Sequence, residues 1–90
     1  MSINEHLWEF PHPMTLKVMG RADAPLQQAV VEILREHLGD TFDPEKDIAL
    51  TPSSKGTYVS VNARIVMEHR DQVSAIYAAL NASPHVKVVF

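Results

Sequence analysis

An α+β fold, with two helices laid on one face of a four-stranded antiparallel sheet, follows from three features of this 90-residue sequence. Apolar residues recur at period two in four segments and at helical spacing in two others, in the order β-α-β-β-α-β. Gly, Pro, Ser and Asp gather between those segments, where the chain must turn. Hydrophobic content of 46% with 21% charged residues is the balance of a folded domain rather than of a disordered chain.

Residues 1–13 read as an N-terminal flap and 14–90 as one domain. The flap carries Leu7, Trp8 and Phe10, which dock on the domain, and Pro11 and Pro13 hold its end extended. In "MTLKVMG", Met14, Leu16 and Val18 share one face, the mark of a half-buried first strand that Gly20 ends. Asp23 is placed to cap a first helix and Pro25 to sit in its first turn. Leu26, Ala29, Val30, Ile33, Leu34 and Leu38 form its apolar stripe, and Gly39 stops it.

The loop from Gly39 to Asp47 is acidic and reads as solvated charge, since it lacks the ligand order of a calcium loop. "IALTP" is a short second strand whose proline marks an edge or an end. A long third strand follows, with Val59, Val61, Ala63, Ile65 and Met67 inward and Tyr58, Ser60, Asn62, Arg64 and Val66 outward. The second helix runs from about His69 to Asn81 and buries Val73, Ile76, Tyr77 and Leu80, with Asp71 near its positive end. After Ser83-Pro84, "HVKVVF" is the fourth strand, with Val86, Val88 and Phe90 inward. Right-handed crossovers and a single buried sheet face make this order a ferredoxin-like split βαβ sandwich with strand order 4-1-3-2.

"TPSSKGTYVSV", Thr51 to Val61, invites three readings. A phosphate cradle needs its lysine after the glycines and a helix next, whereas Lys55 precedes Gly56 and a strand follows. An RNA-binding third strand needs aromatic rings where Thr57 and Val59 stand, and Tyr58 is one place out of register. A β-hairpin needs only Ser53, Ser54, Lys55 and Gly56 as its connection, with Gly56 supplying a positive φ. The hairpin is the expectation.

"FPHPMTLKVMG" and "PSSKGTYVSV", each followed by an amphipathic helix, resemble the YbeD-like family of small bacterial proteins over nearly the whole chain. The resemblance implies a ferredoxin-like fold close to the ACT regulatory domains, brings no established enzyme activity with it, and suggests a regulatory role connected with lipoate attachment. ACT domains hold small effectors such as amino acids beside the turn after strand one. On that comparison Gly20, Asp23 and Pro25 are the effector-binding candidates, although Pro25 has no N–H to donate and the turn lacks its glycine.

Parity places Lys17, Arg64 and Lys87 on the sheet face away from the helices, with Tyr58 on the same face and no acid among the strand positions. Lys17, Tyr58, Arg64 and Lys87 are therefore the candidate partner-binding residues. Met19, Val66 and Val89 on the same face offer contacts for a homodimer. A net charge of −3 disfavours nucleic acid. The absence of cysteine removes disulfides and thiolate chemistry. The five histidines have no metal-ligand spacing, and no nucleophile motif occurs, so no cofactor, metal or catalytic residue is expected. Without a charged-then-apolar leader or an apolar run of ~20 residues, a cytoplasmic protein free of the membrane is expected.

Overall fold

The computed structural model describes residues 9–89. Its strands are β1 (His12–Arg21), β2 (Ile48–Pro52), β3 (Tyr58–Met67) and β4 (Val88–Val89). Its helices are α1 (Leu26–Leu38), a short α2 (Pro44–Asp47) and α3 (Arg70–Ala82), with a 3₁₀ turn at Gly39–Thr41. The sheet is antiparallel with order β2-β3-β1-β4, the ferredoxin-like arrangement. Of the flap, Leu7 and Trp8 lie outside the described residues, as does Phe90. Phe10 packs against the core, and β1 starts at His12, inside the segment assigned to the flap.

β1 and β3 are paired along their whole lengths, from His12↔Met67 to Arg21↔Tyr58. Residues opposite each other share a face, so this register sorts every side chain of both strands. Leu16, Val18, Val61, Ala63, Ile65 and Met67 are buried on one side. Leu26, Val30, Leu34 and Leu38 of α1, with Val73, Ile76 and Leu80 of α3, close over them in one cluster. Phe42, from the loop read as acidic and solvated, is also part of that cluster.

Local chemistry at the helix ends differs from expectation in two places. Asp23 does not cap α1. The helix begins at Leu26 with Pro25 as its N-cap, and the Asp23 carboxylate is held instead by Arg21, two residues back. At the other end Gly39 takes φ 63°, and its N–H donates to the Arg35 carbonyl. The exposed carbonyls of the last turn are then covered: Thr41 Oγ1 donates to Leu38 O (2.9 Å) and Gln72 Nε2 to His37 O (3.2 Å). Gln72 Oε1 also accepts the Glu68 N–H (2.7 Å), so one side chain ties the end of α1 to the start of α3.

The acidic loop is more than solvated charge. Asp43 Oδ1 accepts the Glu45 N–H and Asp47 Oδ2 accepts the Asp43 N–H, both at 3.0 Å. That reciprocal capping, with Pro44 in the first turn, makes the single turn of α2.

The serine-lysine-glycine stretch is a hairpin. Ser53 N–H donates to Tyr58 O (2.9 Å), Tyr58 N–H to Ser53 Oγ (3.2 Å), and Gly56 N–H to Ser53 O (3.0 Å), with Gly56 at φ 73°.

β4 is out of phase with the reading from alternation. Val89 lies opposite buried Val18 and packs on the core, while Val88 lies opposite Met19 and is 42% exposed. The cause is an extra residue: Lys87 N–H donates to Met19 O (2.8 Å), so Lys87 and Val88 both address Met19, the count of a β-bulge. The Ser83–Val86 turn before it lies directly on β1. A Cβ on Gly20 would fall on the His85 carbonyl oxygen and 3.1 Å from both Leu26 methyls. Gly20→Ala is expected to destabilise the protein by about 1–3 kcal/mol, because backbone rather than a pliable side chain must yield; chemical denaturation of the variant measures it.

Candidate functional site

The face of the sheet turned away from the helices is made by alternate residues of each strand. Pro13, Thr15, Lys17, Met19 and Arg21 come from β1, and Tyr58, Ser60, Asn62, Arg64 and Val66 from β3. Ala49 and Thr51 of β2 and Val88 of β4 extend it. No strand position on this face carries an acid.

The register sets the internal geography. Lys17 stands opposite Asn62 and Thr15 opposite Arg64. The two cations are thus diagonal neighbours about 7–8 Å apart along the backbone. Asn62 is engaged with β2, its Nδ2 reaching Ala49 O (3.4 Å) and Thr51 Oγ1 (3.3 Å). Arg64 Nη2 donates to the Lys46 carbonyl at the end of α2 (3.1 Å), which fixes its guanidinium at the margin of the face. Lys17 has neither ion pair nor side-chain hydrogen bond among the described residues. A shallow depression of about 490 Å³ opens beside it, lined by Thr15, Lys17, Met19 and Ser60. Apolar surface flanks the cations at both ends, with Val66 (39% exposed) near Pro13 and Val88 near Met19.

Tyr58, 38% exposed, lies opposite Arg21 at the corner. Arg21 is also tied to Asp23, Nε to Oδ1 at 3.0 Å and Nη2 to Oδ2 at 3.1 Å. The hydrogen bond and then the charge of Arg21 hold the Asp23 carboxyl below the usual carboxylate range, and reciprocally raise Arg21. Three of the four expected partner-binding residues, Lys17, Tyr58 and Arg64, therefore share the open face, Lys17 and Arg64 as neighbours and Tyr58 at the far corner beside Arg21. Lys87 does not join their register; it is exposed at the bulge on the β4 edge. Val89, expected here for homodimer contacts, faces the helices, and Val88 takes its place. Val59, where RNA-binding strands carry an aromatic ring, packs against the core.

The effector candidates are not brought into one cavity. Gly20 is buried against His85 and Leu26, Asp23 is engaged with Arg21, and only Pro25 lines a hollow. That hollow, shared with Gln28, Ala29, Glu32 and His85, is about 150 Å³, below the roughly 300 Å³ at which small-molecule pockets begin. Among the described residues no group of three or more His, Asp or Glu side chains converges as for a metal, and no helix is long and apolar enough to cross a membrane.

A family model described as protein of unknown function (DUF493) matches residues 5–90. A UPF0250 protein of Yersinia enterocolitica is 42% identical over 87 residues, covering 97% of this chain and 94% of the relative. One from Paraburkholderia phymatum is 37% identical over 87 residues, covering 97% and 96%. One from Neisseria gonorrhoeae is 41% identical over 83 residues, covering 92% and 89%.

The corner ion pair has a stated pH dependence. With its folded pKa depressed, Asp23 contributes stability above the unfolded carboxylate's pKa and loses it as pH falls through the folded value. Both partners are exposed, so solvent screens the effect. Arg21→Gln is expected to return the Asp23 midpoint to the ordinary carboxylate range, read by carbon-13 NMR titration, with little change in overall stability.

Proposed function

The chain belongs to the DUF493 (UPF0250) family of YbeD-like proteins of unknown function, and from that premise we propose that it is a non-enzymatic regulatory or adaptor module. Its working surface is the open sheet face, and its partner is a protein surface that presents carboxylates among apolar side chains.

One observation carries this reading: Lys17 and Arg64 stand as neighbours on a face whose strands supply no counter-charge, with exposed apolar residues at both ends. Like charges this close repel, and an arriving carboxylate relieves the repulsion while the flanking Val66 and Val88 leave water. The same charges disfavour a second copy on this face, because packing it against itself adds like charge to like. Tyr58 supplies the ring that recognition surfaces favour, an apolar body with a polar tip. Enzymes of lipoate attachment, to which the family resemblance points, are the first partners to test.

Capture of partners from cell extract on immobilised protein is expected to fall at least about tenfold for Lys17→Glu combined with Arg64→Glu, and to weaken with rising salt. The variant's thermal unfolding reports that the fold persists. Undiminished capture by a folded double variant removes the open face from consideration.

A further inference from the structure

We propose that the depression beside Lys17 binds a small monocarboxylate that has an apolar body and no amino group. Three alternate residues of β1, Thr15, Lys17 and Met19, line it together with Ser60, which stands opposite Met19 on β3. Its volume of about 490 Å³ lies within the roughly 300–1,000 Å³ of small-molecule pockets.

The polar groups that line it are free. Asn62, opposite Lys17, reaches away from it to β2. The Lys17 ammonium and the Thr15 and Ser60 hydroxyls have no partner among the described residues. An ammonium can only donate, and a hydroxyl can turn its O–H toward an acceptor. A carboxylate, which only accepts, matches all three through charge-assisted hydrogen bonds. The apolar body has its own place. Met19 offers a polarisable thioether, and Val88, opposite it on β4 and 42% exposed, an aliphatic surface. Met19 lies two residues along β1 from Lys17, about 6.6–6.8 Å at the rise of a strand. A phenyl ring on a short stem spans that distance.

Two other hollows of similar size contain their own counter-charge. At the end of α1, Arg35 stands with Asp40 and Asp43 around about 430 Å³, and near Pro13, Arg64 shares about 570 Å³ with Asp47. An incoming anion meets an acid in both. The hollow beside Lys17 is lined by none. The same absence sets the ligand class, because the ammonium of an amino acid finds no carboxylate here and adds like charge to Lys17. The ligand is therefore not the amino acid of the ACT comparison, and its site is not the turn after β1. Lys17 also belongs to the partner surface proposed above, and a bound carboxylate would keep a partner's carboxylate from the same ammonium. The binding itself rests on the protein alone.

Amide NMR of the isotopically labelled full chain, titrated with hydrocinnamate, tests it. Saturable shifts are expected at Thr15, Lys17, Met19, Ser60 and Val88, with a dissociation constant of about 1–10 mM at low salt. Acetate, which lacks the body, and hydrocinnamyl alcohol, which lacks the charge, are expected to bind at least about tenfold more weakly. Phenylalanine, the same skeleton with an ammonium added, is expected to lose about as much. Lys17→Gln is expected to weaken hydrocinnamate about tenfold, and Lys17→Arg to keep it within about threefold. Lys17 is exposed, and the spectra themselves report that both variants fold. The comparison of ligands on the unaltered protein decides the matter without any variant. An absence of saturable shifts at these residues up to about 50 mM overturns the proposal. So does equal binding of phenylalanine or of the alcohol, or binding that Lys17→Gln leaves unchanged. Partner capture is read separately, so capture that persists where hydrocinnamate does not bind removes this inference alone.

Discussion

The uninterrupted pairing of β1 with β3 is the constraint from which the rest of the molecule follows. Ten residues of each strand are locked in one register, so a slip by one position would exchange every inward and outward side chain. Leu16 against Ala63 and Val18 against Val61 are apolar on both sides of the ladder. The intervening pairs, Thr15 with Arg64 and Lys17 with Asn62, are polar on both sides. Hydrophobic burial therefore favours this register over its neighbours, and the helices cover the only side that needs covering. The open cationic face is the other half of the same alternation.

Electrostatics and packing divide the surface into parts that are already satisfied and parts that are not. Arg21 is neutralised by Asp23, and Arg64 is partly held by the Lys46 carbonyl, whereas Lys17 faces solvent with an apolar depression beside it. Near Gly20 the molecule has no such freedom. The turn before β4 lies on the strand there, with the His85 carbonyl and the Leu26 methyls against the Gly20 backbone.

Much of this was legible in the residues. Period-two and helical spacing identified β1, β3, α1 and α3, and Gly56 with Ser53 marked the hairpin, because those signals reside in consecutive side chains. The misreadings have other origins, which consecutive side chains do not carry. Asp23 had both a helix terminus and Arg21 within range, and the bidentate guanidinium won. Asp43 and Asp47 looked like loose charge until the chain folded back so that each could cap the other's turn. Phe42 is a single apolar residue with no periodicity around it. The phase of β4 was shifted by the bulge at Lys87, which alternation cannot express. Gln72, joining α1 to α3, has no signature at all, since its partner His37 is distant in sequence.

The dominance of the β1–β3 ladder also bears on how the chain reaches its native state. β2 and β3 meet through a five-residue turn, so that hairpin can form on the scale of microseconds, roughly. β1 must instead find β3 across α1, α2 and the hairpin itself, and none of its pairings is local. The loop-closure entropy of that search falls due before any of its burial is gained. A chain built this way is expected to fold at the pace of mixed α/β domains rather than of helical bundles.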